Sequence, residues 1–324
     1  MEKRLDESRR IVRNSSQVAQ EYLASLKGDA YVQYRKDWTY YGSNQIVPPN
    51  PLQINIEVTA ACNLCCKMCF RNYPFHTRKG QLSLEEIEII AQQAKELHIP
   101  SVWISGGEPT LHPQIVQILD TLGAVKPLDF WMVTNGTNLT DEVIDAILSS
   151  GLTWLSVSID ASTPQSYLRI RGGDLNAVHT NIDKFLRKRN ERGAKLPFLR
   201  VSFVEMADNV EEKDAFLTYW SQRADIIDIQ TLADYHDLDE ISDVAALESD
   251  FKCTAPFSLL SVIPNGDILP CCNGFYTTKS EFNLHNISIA DYWKSEYHQS
   301  FALSVKSKTY CEECIKCVKS FVRR

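Results

Sequence analysis

Cys62, Cys66 and Cys69 stand in one short run, Cys62-Asn63-Leu64-Cys65-Cys66-Lys67-Met68-Cys69, at C-x3-C-x2-C spacing. Thiolates are the usual ligands of iron–sulfur clusters, and a four-iron cluster that only carries electrons is closed by four of them. Three thiolates from one loop fill three corners and leave one iron open to a small molecule, which is an arrangement for chemistry. Cys65 is left over by this spacing. The same run can also be divided into two C-x2-C pairs, Cys62/Cys65 and Cys66/Cys69, as in a structural zinc site, although adjacent pairs with no spacer make a poor tetrahedral knuckle.

Composition narrows the setting. With 324 residues, 44% of them hydrophobic, the chain can bury one large core or two modest ones. A net charge of −7 and the absence of a Lys/Arg cluster argue against nucleic acid as the main partner, because affinity for phosphates is built from concentrated positive charge. No apolar run approaches the ~20 residues that span a bilayer, and the opening Met1-Glu2-Lys3-Arg4-Leu5-Asp6 has no apolar signal segment. The expected setting is therefore cytoplasmic and away from membranes, where the ten cysteines are better read as metal ligands than as disulfides.

The elements that must hold the cysteine loop come next. Residues 1–50 form a separate extension: a charged, weakly helical stretch, then an aromatic one (Tyr31, Tyr34, Trp38, Tyr40, Tyr41), ended by Pro48, Pro49 and Pro51. Packing of these aromatics on the rest of the molecule is one reading, and a lid over the substrate is the other. From Leu52, strand and helix patterns alternate, which predicts parallel β/α architecture. Strands are expected at 53–58, 101–105, 130–134, 154–159, 198–204 and 226–230. Helices are expected between them: one opened by Ser83 with Glu86 as a capping box, then 112–122, 140–149, a stretch reaching Leu186, and 211–223. Six repeats suit a partial barrel, whose active site lies at the C-terminal ends of the strands. Gly106-Gly107-Glu108-Pro109, Thr134-Asn135-Gly136, Ser158 with Asp160, and Arg171-Gly172 all fall there. The paired glycines let backbone come close to a ligand.

With the cysteine loop after the first strand and Met68 before its last cysteine, the chain resembles the radical S-adenosylmethionine (SAM) superfamily. That resemblance implies an α/β fold, a partial (β/α)6 TIM-like barrel over residues 51–236. It also implies a 4Fe–4S cluster on Cys62, Cys66 and Cys69 whose open iron binds SAM, and reductive cleavage of SAM to a 5′-deoxyadenosyl radical. Gly106, Gly107, Glu108 and Pro109 match the motif that holds the SAM amino group. Ser158 and Asp160 correspond to residues that bond ribose hydroxyls, Asn135 to the family's T-N-G turn, and Arg171 to an arginine that meets the SAM carboxylate.

Past residue 236 the alternation ends and a second set of cysteines begins. Cys253 and Cys271 flank Asn265-Gly266, which reads as a short hairpin with a thiolate on each side, and Cys311, Cys314 and Cys317 follow at C-x2-C-x2-C spacing. Residues 237–324 thus resemble the small cysteine-rich SPASM/Twitch domain, with cysteines for one auxiliary 4Fe–4S cluster on Cys253, Cys271, Cys311 and Cys314, Cys317 being able to replace one of the latter pair. A zinc ribbon is the alternative. The resemblance implies an oxidoreductase in which the auxiliary cluster accepts the substrate electron, fed by an external donor such as flavodoxin or ferredoxin. A small-molecule substrate (a sugar, aminocyclitol or nucleotide-sugar alcohol) is favoured, because the N-terminal segment is shorter than the winged-helix segment of peptide-modifying members and lacks its strands. An epimerase, with Cys272 returning a hydrogen atom, and a peptide maturase are the alternatives, and a non-catalytic Fe–S or zinc protein is the rival class.

Overall fold

The computed structural model describes residues 9–11, 15–73, 76, 78–233, 252–272 and 281–322. Six parallel strands form its centre: β2 (Gln53–Thr59), β3 (Ser101–Gly106), β4 (Asp129–Thr134), β5 (Trp154–Ser158), β6 (Phe198–Glu205) and β7 (Ile226–Thr231). Each lies within two residues of its expected span. They are joined by helices α3 (Leu84–Glu96), α4 (Ile115–Gly123), α5 (Asp141–Ser149), α6 (Pro164–Arg171), α7 (Leu175–Glu191) and α8 (Lys213–Trp220). The capping box is present, with the Ser83 hydroxyl accepting from Glu86 N–H and the Glu86 carboxylate accepting from Ser83 N–H.

Two helices depart from the sequence expectation for local reasons. α4 starts at Ile115 instead of 112, because a residue before proline, here His112 before Pro113, is pushed out of the helical region. The single stretch expected to reach Leu186 is two helices. Gly172, at φ +77°, ends α6 in the left-handed conformation, and the Asp174 carboxylate caps α7 by accepting from Asn176 N–H.

The sheet is larger than six strands. Its order is β1-β7-β6-β5-β4-β3-β2-β8-β9, where β1 (Arg9–Ile11) adds antiparallel to β7 and β8 (Leu259–Val262) adds parallel to β2. β9 (Ile268–Leu269) returns antiparallel along β8, completing the expected hairpin. The second cysteine segment is therefore hydrogen-bonded into the barrel sheet, while the expected boundary at 236/237 falls outside the described residues. Helices α9 (Ile289–Lys294), α10 (Glu296–Lys306) and α11 (Glu312–Val322) complete the chain.

Strand periodicity of two separates two faces. Ile54, Ile56 and Val58 of β2 join Val102, Ile104, Met132 and Leu155 in the core under the helices, each worth about 1.5–3 kcal/mol when fully buried. The opposite face carries Asn55, Ser105, Ser156, Ser202 and Ser261 with an aromatic row. Trp103, Trp131 and Trp154 stack across neighbouring strands at ring-centroid distances of 4.8 and 4.6 Å.

The N-terminal extension closes the other end of this barrel. α1 (Ser15–Lys27) and α2 (Asp29–Asn44) pack Leu23, Tyr31 and Tyr34 against Leu52, Trp154 and Ile226, all at the N-terminal starts of strands. A polar knot fastens them: Trp154 Nε1 donates to Asp129 at 2.9 Å, Arg35 lies 3.9 Å from the same carboxylate, and Lys27 Nζ donates to Leu128 O at 2.8 Å. The aromatics thus pack against the barrel at the end away from the cysteine loop, which answers the alternative of a substrate lid.

Candidate active site

The loop from Cys62 to Cys69 leaves the C-terminal end of β2 and is held from two sides. On one side is the Gly106-Gly107-Glu108-Pro109 turn. Gly107 N–H donates to Thr59 O and Glu108 N–H to Ala61 O, both at 2.7 Å. A Cβ on Gly106 would stand 2.5 Å from Thr59 O, and one on Gly107 2.1 Å from Ala61 O. The glycines are needed so that this turn can press on the backbone leading into the cysteine loop, which differs from the expected close approach to a ligand.

Glu108 is 1% exposed and its carboxylate is fully engaged. Oε1 accepts from Thr110 N–H (3.1 Å), Thr110 Oγ1 (2.6 Å) and Thr134 Oγ1 (2.6 Å), and Oε2 from Asn135 N–H (2.6 Å). It ties the turns after β3 and β4 together. Asn135 in turn donates through Nδ2 to Asn63 Oδ1 at 2.9 Å, inside the cysteine loop. Pro109 opens a short 3-10 turn beside them.

On the other side lies α6. Its carbonyls accept from the loop, Ile170 O from Lys67 N–H (2.8 Å) and Arg171 O from Cys65 N–H (3.1 Å). Arg171 Nη1 donates to Cys66 Sγ at 3.6 Å, and its Nε donates to Asp160 Oδ2 at 2.8 Å. Asp160 lies beyond the end of β5 at φ +60°, is 0% exposed, and its other oxygen accepts from Val204 N–H at 2.7 Å, so its carboxylate ties Arg171 to the backbone of β6. Ser158 remains half-buried at the C-terminal end of β5, beside Ser202 in register.

The donor set suits thiolate-ligated clusters. Burial pushes the Cys66 thiol up to about 11, with Arg171 opposing and the thiols of Cys69 and Cys62 adding to the rise, and burial raises Cys69 as well. Such thiols lose their protons when iron takes their place. In the second set, burial lifts Cys253 to about 12. Cys314 is raised by its hydrogen bond with Cys311, then by burial and by the thiols of Cys311, Cys271 and Cys253. Burial raises Cys317, helped by Cys253, Cys272 and Cys311. No disulfide joins any of the ten cysteines. Among the described residues no group of three or more His, Cys, Asp or Glu converges closely enough for a single metal ion. A buried tyrosine hydroxyl without a hydrogen-bond partner accompanies each set, Tyr167 near Cys66 and Tyr292 near Cys271. Cys272 is exposed and stands near Cys253 and Cys317.

Asn63, Tyr167 and the tryptophan row were not singled out from sequence. Asn63 lies inside the cysteine motif and Tyr167 one helical turn before Arg171, and those positions were the available signal.

These features define a β/α barrel with a cysteine loop at the C-terminal end of its first central strand and a second set of cysteines joined to the same sheet. Residues 56–194 match the family model of the radical SAM superfamily, and residues 253–318 match that of the SPASM iron–sulfur cluster-binding domain. The chain thus carries a radical SAM domain followed by a SPASM domain, and the two together imply SAM and 4Fe–4S clusters. It is 27% identical to the GTP 3′,8-cyclase of Saccharophagus degradans over 267 residues, 81% of this chain and 74% of that one. Against the probable GTP 3′,8-cyclase of Methanocaldococcus jannaschii it spans about half of the relative's length, at 29% identity over 49% of this chain and 51% of the other. In fold it resembles Streptococcus suis SuiB bound to its precursor peptide SuiA (TM-score 0.61, 17% identity, 90% of this chain and 75% of that chain). No helix among the described residues is long and apolar enough to cross a membrane.

Proposed function

We propose that the protein is a radical SAM oxidoreductase that dehydrogenates a small hydroxylated molecule, such as a sugar, aminocyclitol or nucleotide-sugar alcohol, in the barrel lumen. In this reading Cys62, Cys66 and Cys69 hold the SAM-binding cluster. Cys253, Cys271, Cys311 and Cys314 hold the auxiliary one, with Cys317 able to replace one of the last two, and a flavodoxin- or ferredoxin-like protein supplies electrons. When bound, the first cluster provides the electron that cleaves SAM, and the radical so formed takes a hydrogen atom from the substrate. Held by Cys253, Cys271, Cys311 and Cys314, the auxiliary cluster would supply the acceptor for the second electron, so that hydrogen-atom abstraction with loss of one proton would amount to a two-electron oxidation to a carbonyl.

The observation that carries this reading is the pairing of β2 with β8. β2 leads into Cys62, while Cys253 and Cys271 flank the hairpin whose first strand is β8, with Gln53 opposite Leu259. Six residues separate the level of Leu259 from Thr59, roughly 20 Å at 3.3 Å per residue. The wall between them carries Asn55, Ser105, Ser202 and Ser261 beside the Arg200–Asp228 pair and the stacked Trp103 and Trp131, a mixed polar and aromatic lining suited to a hydroxylated ring. Backbone of the Gly106–Pro109 turn orients SAM, and Ser158 at the lumen rim is the side chain best disposed to bond a ribose.

Anaerobically reconstituted protein, given reductant, SAM and a panel of aminocyclitols and nucleotide sugars, should form one 5′-deoxyadenosine per carbonyl product. Cys253→Ala and Cys271→Ala should keep SAM cleavage and lose product, with circular dichroism confirming the fold, because a cluster can contribute folding energy. Deuterium from deuterated water at an inverted carbon, with no change in oxidation state and with loss of turnover in Cys272→Ala, would establish epimerisation instead. A second reading, nucleotide cyclisation, is favoured by the match to a GTP 3′,8-cyclase over 81% of the chain. Incubation with GTP tests it directly.

A further inference from the structure

α6 does more than connect two strands. From its last turn Arg171 reaches the cysteine loop, with Nη1 donating to Cys66 Sγ at 3.6 Å. The Arg171 side chain is 8% exposed and is paired with Asp160 at 0%. The pair is anchored, because Asp160 accepts from Val204 N–H at 2.7 Å and its carbonyl accepts from Asn209 Nδ2 at 2.9 Å. Four residues earlier, on the same helix face, Tyr167 is fully buried and its hydroxyl has no partner. Its ring lies against the loop: a Cβ on Gly173 would be 3.1 Å from Tyr167 Cε1 and 2.8 Å from Leu64 Cδ2. The electrostatic neighbours of that hydroxyl are Arg171, Cys66, Asp160 and Glu108. None of these groups bonds the phenol in the protein alone, and sulfur of a cluster held at the Cys66 corner is the acceptor that would be added beside it.

We propose that Tyr167 and Arg171 are positioning residues that set the reduction potential of the SAM-binding cluster by donating hydrogen bonds to sulfur at its Cys66 corner. Reduction adds negative charge to the cluster. Hydrogen bonds to its sulfurs favour the reduced state, and in a buried site they are weakly screened. A buried hydroxyl that is unsatisfied in the protein alone gains its acceptor when the cluster is in place. Arg171 is thereby assigned to a cysteine ligand, a role distinct from the SAM-carboxylate contact that the sequence resemblance implies. The inference rests on the radical SAM assignment and is independent of the substrate.

The test is a potentiometric titration, followed by electron paramagnetic resonance, of reconstituted native protein, Tyr167→Phe and the double variant Asp160→Asn/Arg171→Gln. The double variant removes both charges together, so that neither is stranded. The midpoint of the SAM-binding cluster should move to more negative potential in both variants. For the double variant the one-electron equilibrium should shift about tenfold, ~59 mV, and the auxiliary cluster in the same sample should stay fixed. Tyr167→Phe removes one oxygen and leaves the ion pair intact, so it answers even where the double variant fails to retain iron. An unchanged SAM-cluster midpoint in Tyr167→Phe at native iron content overturns the role of the phenol. Equal shifts at both clusters overturn the proposal as a whole, since they report general loosening.

Discussion

Gly107→Ala is the sharpest perturbation of the site, because it adds one methyl group and no charge. That methyl would stand 2.1 Å from Ala61 O and 2.6 Å from Ala61 C, the first of them 0.9 Å inside the 3.0 Å that Cβ contacts respect. The obstructing atoms are backbone, so no side chain can swing away, and the turn after β3 must separate from the start of the cysteine loop by about that amount. Two hydrogen bonds cross the gap, Gly107 N–H to Thr59 O and Glu108 N–H to Ala61 O, each at 2.7 Å, and both lengthen. Overpacking of this kind costs about 1–3 kcal/mol. The larger effect is on chemistry, since a displacement of about 1 Å at a reacting centre lowers rates about 100-fold. The assay is 5′-deoxyadenosine formed per cluster under reducing conditions, with thermal melting alongside. Gly193→Ala is the control, for it meets nothing within 4 Å at φ +60° and should cost about 1 kcal/mol of backbone strain with SAM cleavage intact. Native cleavage rates in Gly107→Ala would refute the claim that this turn positions the loop.

Replacing Cys62, Cys66 and Cys69 together by Ala should lower bound iron from about eight to about four per chain and abolish SAM cleavage; stoichiometric zinc without sulfide in anaerobic native protein would contradict it. Asp160→Ala strands the Arg171 guanidinium in a site where the pair is 8% and 0% exposed, so denaturant unfolding should show a loss of about 3–5 kcal/mol, and a loss below 1 kcal/mol would mean that water reaches the pair. Burial holds His298 down from 6.5 to about 4. Below pH 6.5 the unfolded chain therefore takes up a proton that the folded chain refuses, and stability present above that pH is lost as pH falls towards 4, by about 3 kcal/mol at most. His298→Gln should flatten that dependence in melts between pH 7 and 5, and an unchanged slope would assign it to other groups.

The six central strands could be read because polar and apolar residues alternate along them, as in Gln53-Ile54-Asn55-Ile56-Glu57-Val58, and because helix patterns separate them. β8 could not be read in that way. Leu259, Leu260, Ser261 and Val262 are buried on both faces, so the segment carries no alternation to mark it as a barrel strand. β1, three residues long, is below the length at which periodicity means anything. At the site, the positions of the cysteines, the Gly-Gly turn and Arg171 were legible as motifs, but their partners were not. That Glu108 spends itself on Thr110, Thr134 and Asn135 depends on two loops 24 or more residues apart meeting, and the engagement of Asp160 by Arg171 depends on Gly172 ending α6 where it does.

The pairing of β2 with β8 also bears on how the chain reaches its fold. Gln53 and Leu259, opposite each other in the sheet, are 206 positions apart, so during synthesis the strand that launches the cysteine loop lacks one neighbour until most of the protein has left the ribosome. Until then Gln53–Ile56 is an open sheet edge, able to pair with any other exposed strand. Such long-range closures are slow, and the waiting species is prone to aggregate. Truncation before β8 would make that state permanent, so a barrel expressed without its C-terminal cysteine domain should collect as insoluble protein, however complete its own β/α repeats.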